Sequence, residues 1–326
     1  MYRKILLINL FALIGLLSAS AVEMPYVHDP VVAEYNGVYY LFCTGRGITV
    51  MSSTDLKDWK RERPVFDEPP VWAMEAVPGF RGHIWAPDII YKNGLYYLYY
   101  SVSSFGKNTS CIGVAVNKTL YPSSPDFRWN DMGKVLQSVP NRDMWNAIDP
   151  NIIIDRNGEA WMNFGSFWEG IKLVKLDNEM VSLAQPEEWY LLSRRPREPE
   201  EADDNPGSGA VEAPFIFERG DYYYLFVSFD YCCRGEDSDY KVVVGRSKDV
   251  TGPYYDRDVV DMLEGGAEVV ISGNKRLPGV WHNSVYTFDG KDYMFFHAYD
   301  MEENGRSRLL VRELRWDNDG WPTAEL

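Results

Sequence analysis

Short apolar runs separated by polar turns recur along this chain, and the pattern repeats five times. Each unit is a short apolar run, a turn containing Gly, and an aromatic-rich run. The units are HDPVVAEYNGVYYLFCTG from His28, WAPDIIYKNGLYYLYYS from Trp85, IDPNIIIDRNGEAWMNFGS from Ile148, EAPFIFERGDYYYLFVSF from Glu212 and HNSVYTFDGKDYMFFHAY from His282. The central NG, RG or DG pair marks a hairpin, because Gly accepts φ > 0. A third strand is predicted after each hairpin, as at 112–116 and 241–245, and usually a fourth, as at 269–272. Aligned on Pro30, Pro87, Pro150, Pro214 and Ser284, the units recur about every 60 residues, room for four short strands and their loops. Four-stranded units repeated radially predict an all-β fold, a five-bladed β-propeller. A sandwich does not produce five like units, and helical periodicity is nearly absent. The units are longer than WD40 or kelch repeats and carry neither signature.

Two segments stand outside the repeat. At the N-terminus, Arg3 and Lys4 precede the apolar stretch 5–17 and the small-residue triplet Ala19-Ser20-Ala21. That order reads as a signal peptide over 1–21, leaving 22–326 as one propeller domain exported to the periplasm or medium. The apolar stretch is shorter than the roughly 20 residues of a membrane span. The second segment, RRPREPEEADDNPGSGA from Arg194 to Ala210, is rich in Pro, Gly and charge and reads as an exposed, solvated loop between units three and four. It leads straight to Glu212, which puts it near any cleft mouth there.

Composition narrows the partners. Aromatic residues are 15% of the chain, suiting both strands and sugar-binding clefts. The formal net charge is −15 with no basic run, which excludes nucleic acid and anionic membrane surfaces and disfavours acidic polysaccharides. A neutral polymer or small neutral ligand fits. Four cysteines show no zinc spacing; the adjacent Cys232 and Cys233 form either a vicinal disulfide or two thiols.

The candidate chemistry comes from the register of the repeat. Just before the aligned Pro stand Asp29 and Asp149, and one residue earlier in its unit stands Glu212. Trp85 and His282 are read at the Glu212-equivalent position of units two and five. The inner strands of a propeller converge on one axis, so Asp, Trp, Asp, Glu and His gather at one end. Any single Asp before Pro is an ordinary turn residue. Three acids in register are different, because gathered carboxylates repel and push one another's pKa apart. Acid–base cleavage of a glycosidic bond needs such a set. Asp88, after its Pro, reads as structural. His282 is one of only four histidines; it ligates a metal, contacts substrate, or plugs the channel through hydrogen bonds. One protein ligand suits a hard cation held mostly by water better than zinc. No GxSxG, HExxH, P-loop or dinucleotide fingerprint is present.

The segments VHDP (27–30), GHIWAPDI (82–89), NAIDPN (146–151), GSFW (165–168), VEAPF (211–215) and HNSV (282–285) resemble glycoside hydrolase family 43. SVSSFGKNTSCIGVA (101–115) and YYYLFVSFDYCCRG (222–235) resemble its endo-1,5-α-L-arabinanases. The resemblance covers about the whole chain after the signal. It implies a five-bladed propeller and an inverting glycosidase acting on internal α-1,5-L-arabinofuranosidic bonds of linear arabinan, the side chains of pectin. It implies Asp29 as general base, Glu212 as general acid and Asp149 as the residue that tunes and orients the acid. It also implies substrate contacts at Asp29, Trp85, Gly113, Asn146 and Ser166. His282 matches the histidine near a central calcium, structural or auxiliary. GVWHN stands where GPGHN is common, so bulky Trp281 flanks that histidine. If the Arg194–Ala210 loop caps the cleft, action from chain ends follows instead. An exo-acting arabinofuranosidase or β-xylosidase, or a non-catalytic sugar-binding propeller, are the alternatives.

Overall fold

The computed structural model describes residues 25–232 and 234–326. The signal peptide read at 1–21 and the pairing of Cys232 with Cys233 therefore lie outside the described residues. Cys232 is disulfide-bonded, whereas Cys43 and Cys111 are free and buried.

Five antiparallel sheets form the five blades, in chain order. Blade one is Val31–Tyr35, Val38–Cys43, Thr49–Ser53 and Lys60–Arg61. Blade two is His83–Lys92, Leu95–Val102, Ser110–Asn117 and Asn130–Ser138, with Gly45–Arg46 added at its inner edge. Blade three is Asn151–Ile154, Ala160–Phe164, Ile171–Lys175 and Trp189–Ser193, and blade four is Val211–Arg219, Tyr222–Phe229, Lys241–Ser247 and Glu268–Ser272. Blade five has Trp281–Phe288, Lys291–Asp300 and Arg306–Glu313; Tyr26 bridges Arg308 on the free edge of the third strand, so the segment leading into blade one joins the last blade. The predicted hairpins are present. Asn36 and Gly37 have φ of 52° and 76°, and Asp289 and Gly290 have 51° and 75°, the two successive positive values that a tight hairpin turn needs. The one α-helix among the described residues is the six-residue Val71–Ala76.

The aromatic-rich strands read as continuous apolar runs because both faces are covered. In Leu95–Val102, Tyr96, Leu98 and Tyr100 face blade one, while Tyr97 and Tyr99 face blade three. Tyr223 and Leu225 face blade three, and Tyr224 and Phe226 face blade five. A fifth cluster, with Val32, Leu41, Phe295 and Leu309, closes blade five onto blade one.

Polar side chains tie the blades together around the axis. Asp88 Oδ2 accepts from Ile152 N at 2.7 Å and from Asn151 Nδ2 at 3.1 Å. Asn151 Oδ1 in turn accepts from Ile216 N at 2.8 Å, and Ser284 Oγ donates to Pro30 O at 2.7 Å. Each bond joins one blade to the next. Asp88 is structural, as its place after the aligned Pro suggests. Its burial pushes its carboxyl up to about 7.

Candidate active site

The entry to each inner strand repeats one backbone device. Asp29, Ala86, Asp149, Ala213 and His282 all have positive φ, between 41° and 57°. Asp and His tolerate that conformation better than most residues; Ala adopts it only when its surroundings impose it. The anchor is the buried N–H. Ala86 N donates to Thr44 Oγ1 at 2.8 Å, Asp149 N to Ser101 Oγ at 3.0 Å, His282 N to Ser228 Oγ at 3.1 Å and Asp29 N to His297 Nδ1 at 3.1 Å. The acceptors occupy one register at the end of the second strand of the preceding blade. The corresponding residue on blade three is Gly165, which has no side-chain acceptor. There Ala213 N donates to Asp149 Oδ2 at 3.1 Å instead. An acid has replaced a structural acceptor on that blade.

This register corrects one alignment. Trp85 pairs with Ser101, Glu212 with Ser228 and Trp281 with His297. Trp281, not His282, is therefore the counterpart of Glu212 on blade five, and His282 is the counterpart of Asp29 and Asp149. The slip arises because blade five has no Pro at the aligned position. Ser284 pairs with Phe295 as Val31 pairs with Phe42, one step past the Pro.

Asp29, Asp149, Glu212 and His282 converge at one end of the axis on a cleft of about 520 Å³. Asp29 Oδ2 accepts from the Thr44 hydroxyl. Its Oδ1 lies 3.2 Å from His282 Nδ1 but out of hydrogen-bond alignment, and has no other partner. Glu212 Oε2 accepts from Ser166 Oγ at 2.6 Å, and Oε1 accepts from the Tyr240 hydroxyl. Burial, followed by the charges of Glu212 and Asp29, pushes the Asp149 carboxyl well above the usual carboxylate range. Burial also raises Glu212, opposed by its two hydroxyl donors and assisted by the charge of Asp29. Asp149 and Glu212 thus titrate as a pair that holds a proton to higher pH than an exposed acid. Burial lowers His28 and His282, and lowers His297 well below its ordinary value, so burial favours the neutral imidazole at all three.

Trp85, Asn146 and Ser166 also line the cleft. Ser166 is committed to Glu212, while Asn146 Oδ1 is buried without a partner. Gly113 is elsewhere. It lies in the third strand of blade two, where an added Cβ would meet Trp72 and Tyr100 side-chain atoms at 2.6–2.8 Å. Its small size serves packing under those rings and not the cleft. The Arg194–Ala210 segment does reach the cleft, and it is anchored in place. Trp168 Nε1 donates to Asp203 O at 2.9 Å, Arg195 pairs with Asp230, and Pro206 and Gly207 form part of the wall. Exposed Phe105 and the pair Tyr231–Arg234 complete the walls on blades two and four.

Metal-type donors occur in two arrangements. His28, Asp29 and His297 each offer a ligand atom within 4.8 Å of the others, but His297 Nδ1 is taken by the N–H of Asp29. His282 beside the unpaired Asp29 Oδ1 is the other. The His282 imidazole, whose charged form burial disfavours, suits a hard cation held otherwise by water beside Asp29.

Sequence reasoning missed Thr44, Ser101, Ser228 and Tyr240. The first three were open to it: carrying the repeat alignment one strand further puts them in a single column with Gly165 and His297. Tyr240 stands alone before a third strand, with no repeat counterpart to mark it.

The family model described as Glycosyl hydrolases family 43 matches residues 22–322. An extracellular exo-α-(1→5)-L-arabinofuranosidase of Cellvibrio japonicus (strain Ueda107) is 53% identical over 299 residues, covering 92% of this chain and 86% of that protein. An extracellular endo-α-(1→5)-L-arabinanase of Bacillus subtilis (strain 168) is 40% identical over 301 residues, covering 91% of this chain and 87% of that protein. Among solved structures, a Cellvibrio cellulosa α-L-arabinanase complexed with arabinohexaose superposes with a TM-score of 0.92 at 52% identity, covering 93% of this chain and 96% of that one.

Proposed function

This chain belongs to glycosyl hydrolase family 43, and from that premise we propose that it hydrolyses the α-1,5 bonds of linear L-arabinan with inversion at the anomeric carbon. The observation that carries the reading is the set of three buried carboxylates that converge at one end of the axis, each with different partners. Glu212 is the general acid: burial favours its protonated form, and it protonates the leaving oxygen as the bond to C1 breaks. Asp29 is the general base. Thr44 holds its Oδ2 and leaves Oδ1 without a donor, free to take a proton from the water that attacks C1. Asp149 tunes the acid by charge, and orients it through its bond to Ala213 N, the residue next to Glu212. Trp85 and Asn146 supply sugar contacts on the cleft wall. Ser166 acts through Glu212 and not on the sugar alone.

Calcium is the cation we assign to the channel end, touching His282 and otherwise held by water. Its positive charge there would temper the repulsion among the three carboxylates. The substrate class is the arabinan side chains of pectin. Two of the relatives reported above are named as extracellular, and we infer export for this chain too. Among the described residues no helix is long and apolar enough to cross a membrane.

Cleavage of internal bonds is the first reading. The Pro206–Gly207 wall favours a second, release from chain ends, which is also the activity in the name of the 53% identical relative. Sizing the products from linear arabinan over time separates them. A spread of oligomers at early times supports internal cleavage, and a single short product from the first minutes overturns it. Proton NMR of the first product reads the stereochemistry: the β-anomer appears first under inversion, and an α-anomer first refutes it.

A further inference from the structure

Glu212 is held from two sides by hydroxyl groups that stand in different places. Ser166 Oγ, on Oε2, lines the cleft. Tyr240 OH, on Oε1, does not: Tyr240 is 1% exposed and lies just before the strand Lys241–Ser247 of blade four. Its ring packs against Trp281 with centroids 5.0 Å apart, in a small cluster with Tyr299. Its carbonyl accepts from Val280 N at 3.2 Å. Blade five thus fixes a phenol that belongs to blade four, and bulky Trp281, the counterpart of Glu212 on blade five, forms the wall behind it.

We propose that Tyr240 is a positioning residue that keeps Oε1 of Glu212 as a hydrogen-bond acceptor and so confines the catalytic proton to Oε2, the oxygen beside Ser166 that faces the cleft. The inference rests on the reading of Glu212 as the general acid.

A carboxylic acid carries one proton and two similar oxygens, and only a proton directed at the glycosidic oxygen is useful. The phenol O–H occupies Oε1 and makes a second proton there unfavourable. A serine hydroxyl both donates and accepts. While the acid is protonated, Ser166 Oγ turns to accept from Oε2–H. In the step, the Oε2–H bond breaks and the proton joins the glycosidic oxygen, which keeps the electron pair of the broken C1–O bond. The charge left on Glu212 then receives both hydroxyls as donors. Besides these hydroxyls, the groups that act on Glu212 are the carboxylates of Asp149 and Asp29, with Tyr299 behind Tyr240. Tyr240 favours the ionised carboxylate and partly offsets the effect of burial.

The test is kcat/KM against pH on an arabino-oligosaccharide for the wild type, Tyr240→Phe, and a protein with 3-fluorotyrosine at position 240. Phe keeps the ring and deletes the donor, so the alkaline limb moves up by about one pH unit. Fluorotyrosine keeps the hydroxyl and is a stronger donor, so the limb moves down. The acid limb stays in place in both. A packing role alone leaves the alkaline limb unmoved in both proteins, and that result overturns the inference. If the Phe variant does not fold by circular dichroism, the sign of the fluorotyrosine shift decides. Glu212→Gln in the same assay separates the two readings: wild-type activity and pH profile there refute the general acid itself, whereas an inactive Glu212→Gln beside an unmoved Tyr240→Phe limb refutes only the role of Tyr240.

Discussion

Replacing Asp149 by Asn changes one side-chain atom, and two opposite effects follow from its surroundings. Asp149 is buried, accepts one backbone N–H at 3.1 Å, and has its carboxyl raised by burial and by the charges of Glu212 and Asp29. Asn keeps an oxygen for Ala213 N and removes the charge. With the Asp149 charge gone, Glu212 loses its proton more readily, and the alkaline limb of kcat/KM moves down by about one pH unit, the lower end of what a close like charge produces. One pH unit above the wild-type limb, activity falls about tenfold further than in the wild type. Stability moves the other way. A carboxyl whose pKa is raised by folding binds its proton more tightly in the native state. Its contribution is full below the unfolded value near 4 and is lost as pH rises through the folded value. Asn removes that loss, so the variant gains on the order of 1–3 kcal/mol at pH 7, a few degrees in Tm, and gains little at pH 4. Activity–pH profiles on linear arabinan and melting curves at pH 4 and 7 check both halves. An alkaline limb that stays or rises, or a variant less stable at pH 7 than the wild type, would refute the reasoning.

Asp88, raised to about 7 between blades two and three, works by the same sign without touching the cleft. Asp88→Asn should gain stability relative to wild type as pH rises from about 4 to 7, and a difference in Tm that is flat across that range would contradict it. Thr44→Val leaves Ala86 N and Asp29 Oδ2 without partners; we expect a loss of about 1–3 kcal/mol in chemical denaturation and a lower kcat with little change in KM. Chelator should lower the activity or Tm of the wild type, and His282→Ala should remove that sensitivity; a wild type indifferent to chelator speaks against the calcium assignment.

The fold was legible because each unit repeats a hairpin whose strands are buried on both faces, so continuous apolar runs and Gly turns recur together. Asp29, Asp149 and Glu212 were legible for the same reason: Pro30, Pro150 and Pro214 fix their register. Blade five lacks that Pro, and the alignment slipped by one residue, exchanging the places of Trp281 and His282. In a strand one residue reverses the face, so the slip concealed Trp281 as the counterpart of Glu212. Gly113 was assigned to substrate by resemblance, while the space it leaves is filled by Trp72 and Tyr100. Tyr240 was not legible at all, because its contact with Glu212 joins residues 28 apart, from the start of the third strand, across the second, to the inner one. The acidic loop from Arg194 to Ala210 reads as solvated by composition, yet Trp168 and Asp230 hold it against the cleft.

The central claim is that Glu212 delivers the proton on which glycosidic cleavage depends. Glu212→Gln keeps the shape and removes that proton. Its kcat is to be measured on linear arabinan and on an arabinobioside with a 2,4-dinitrophenyl leaving group, which departs without protonation. The account predicts a loss of about 10²–10⁴ on arabinan and a much smaller loss on the dinitrophenyl substrate. Equal losses on both substrates, or arabinan turnover near that of the wild type, would contradict it.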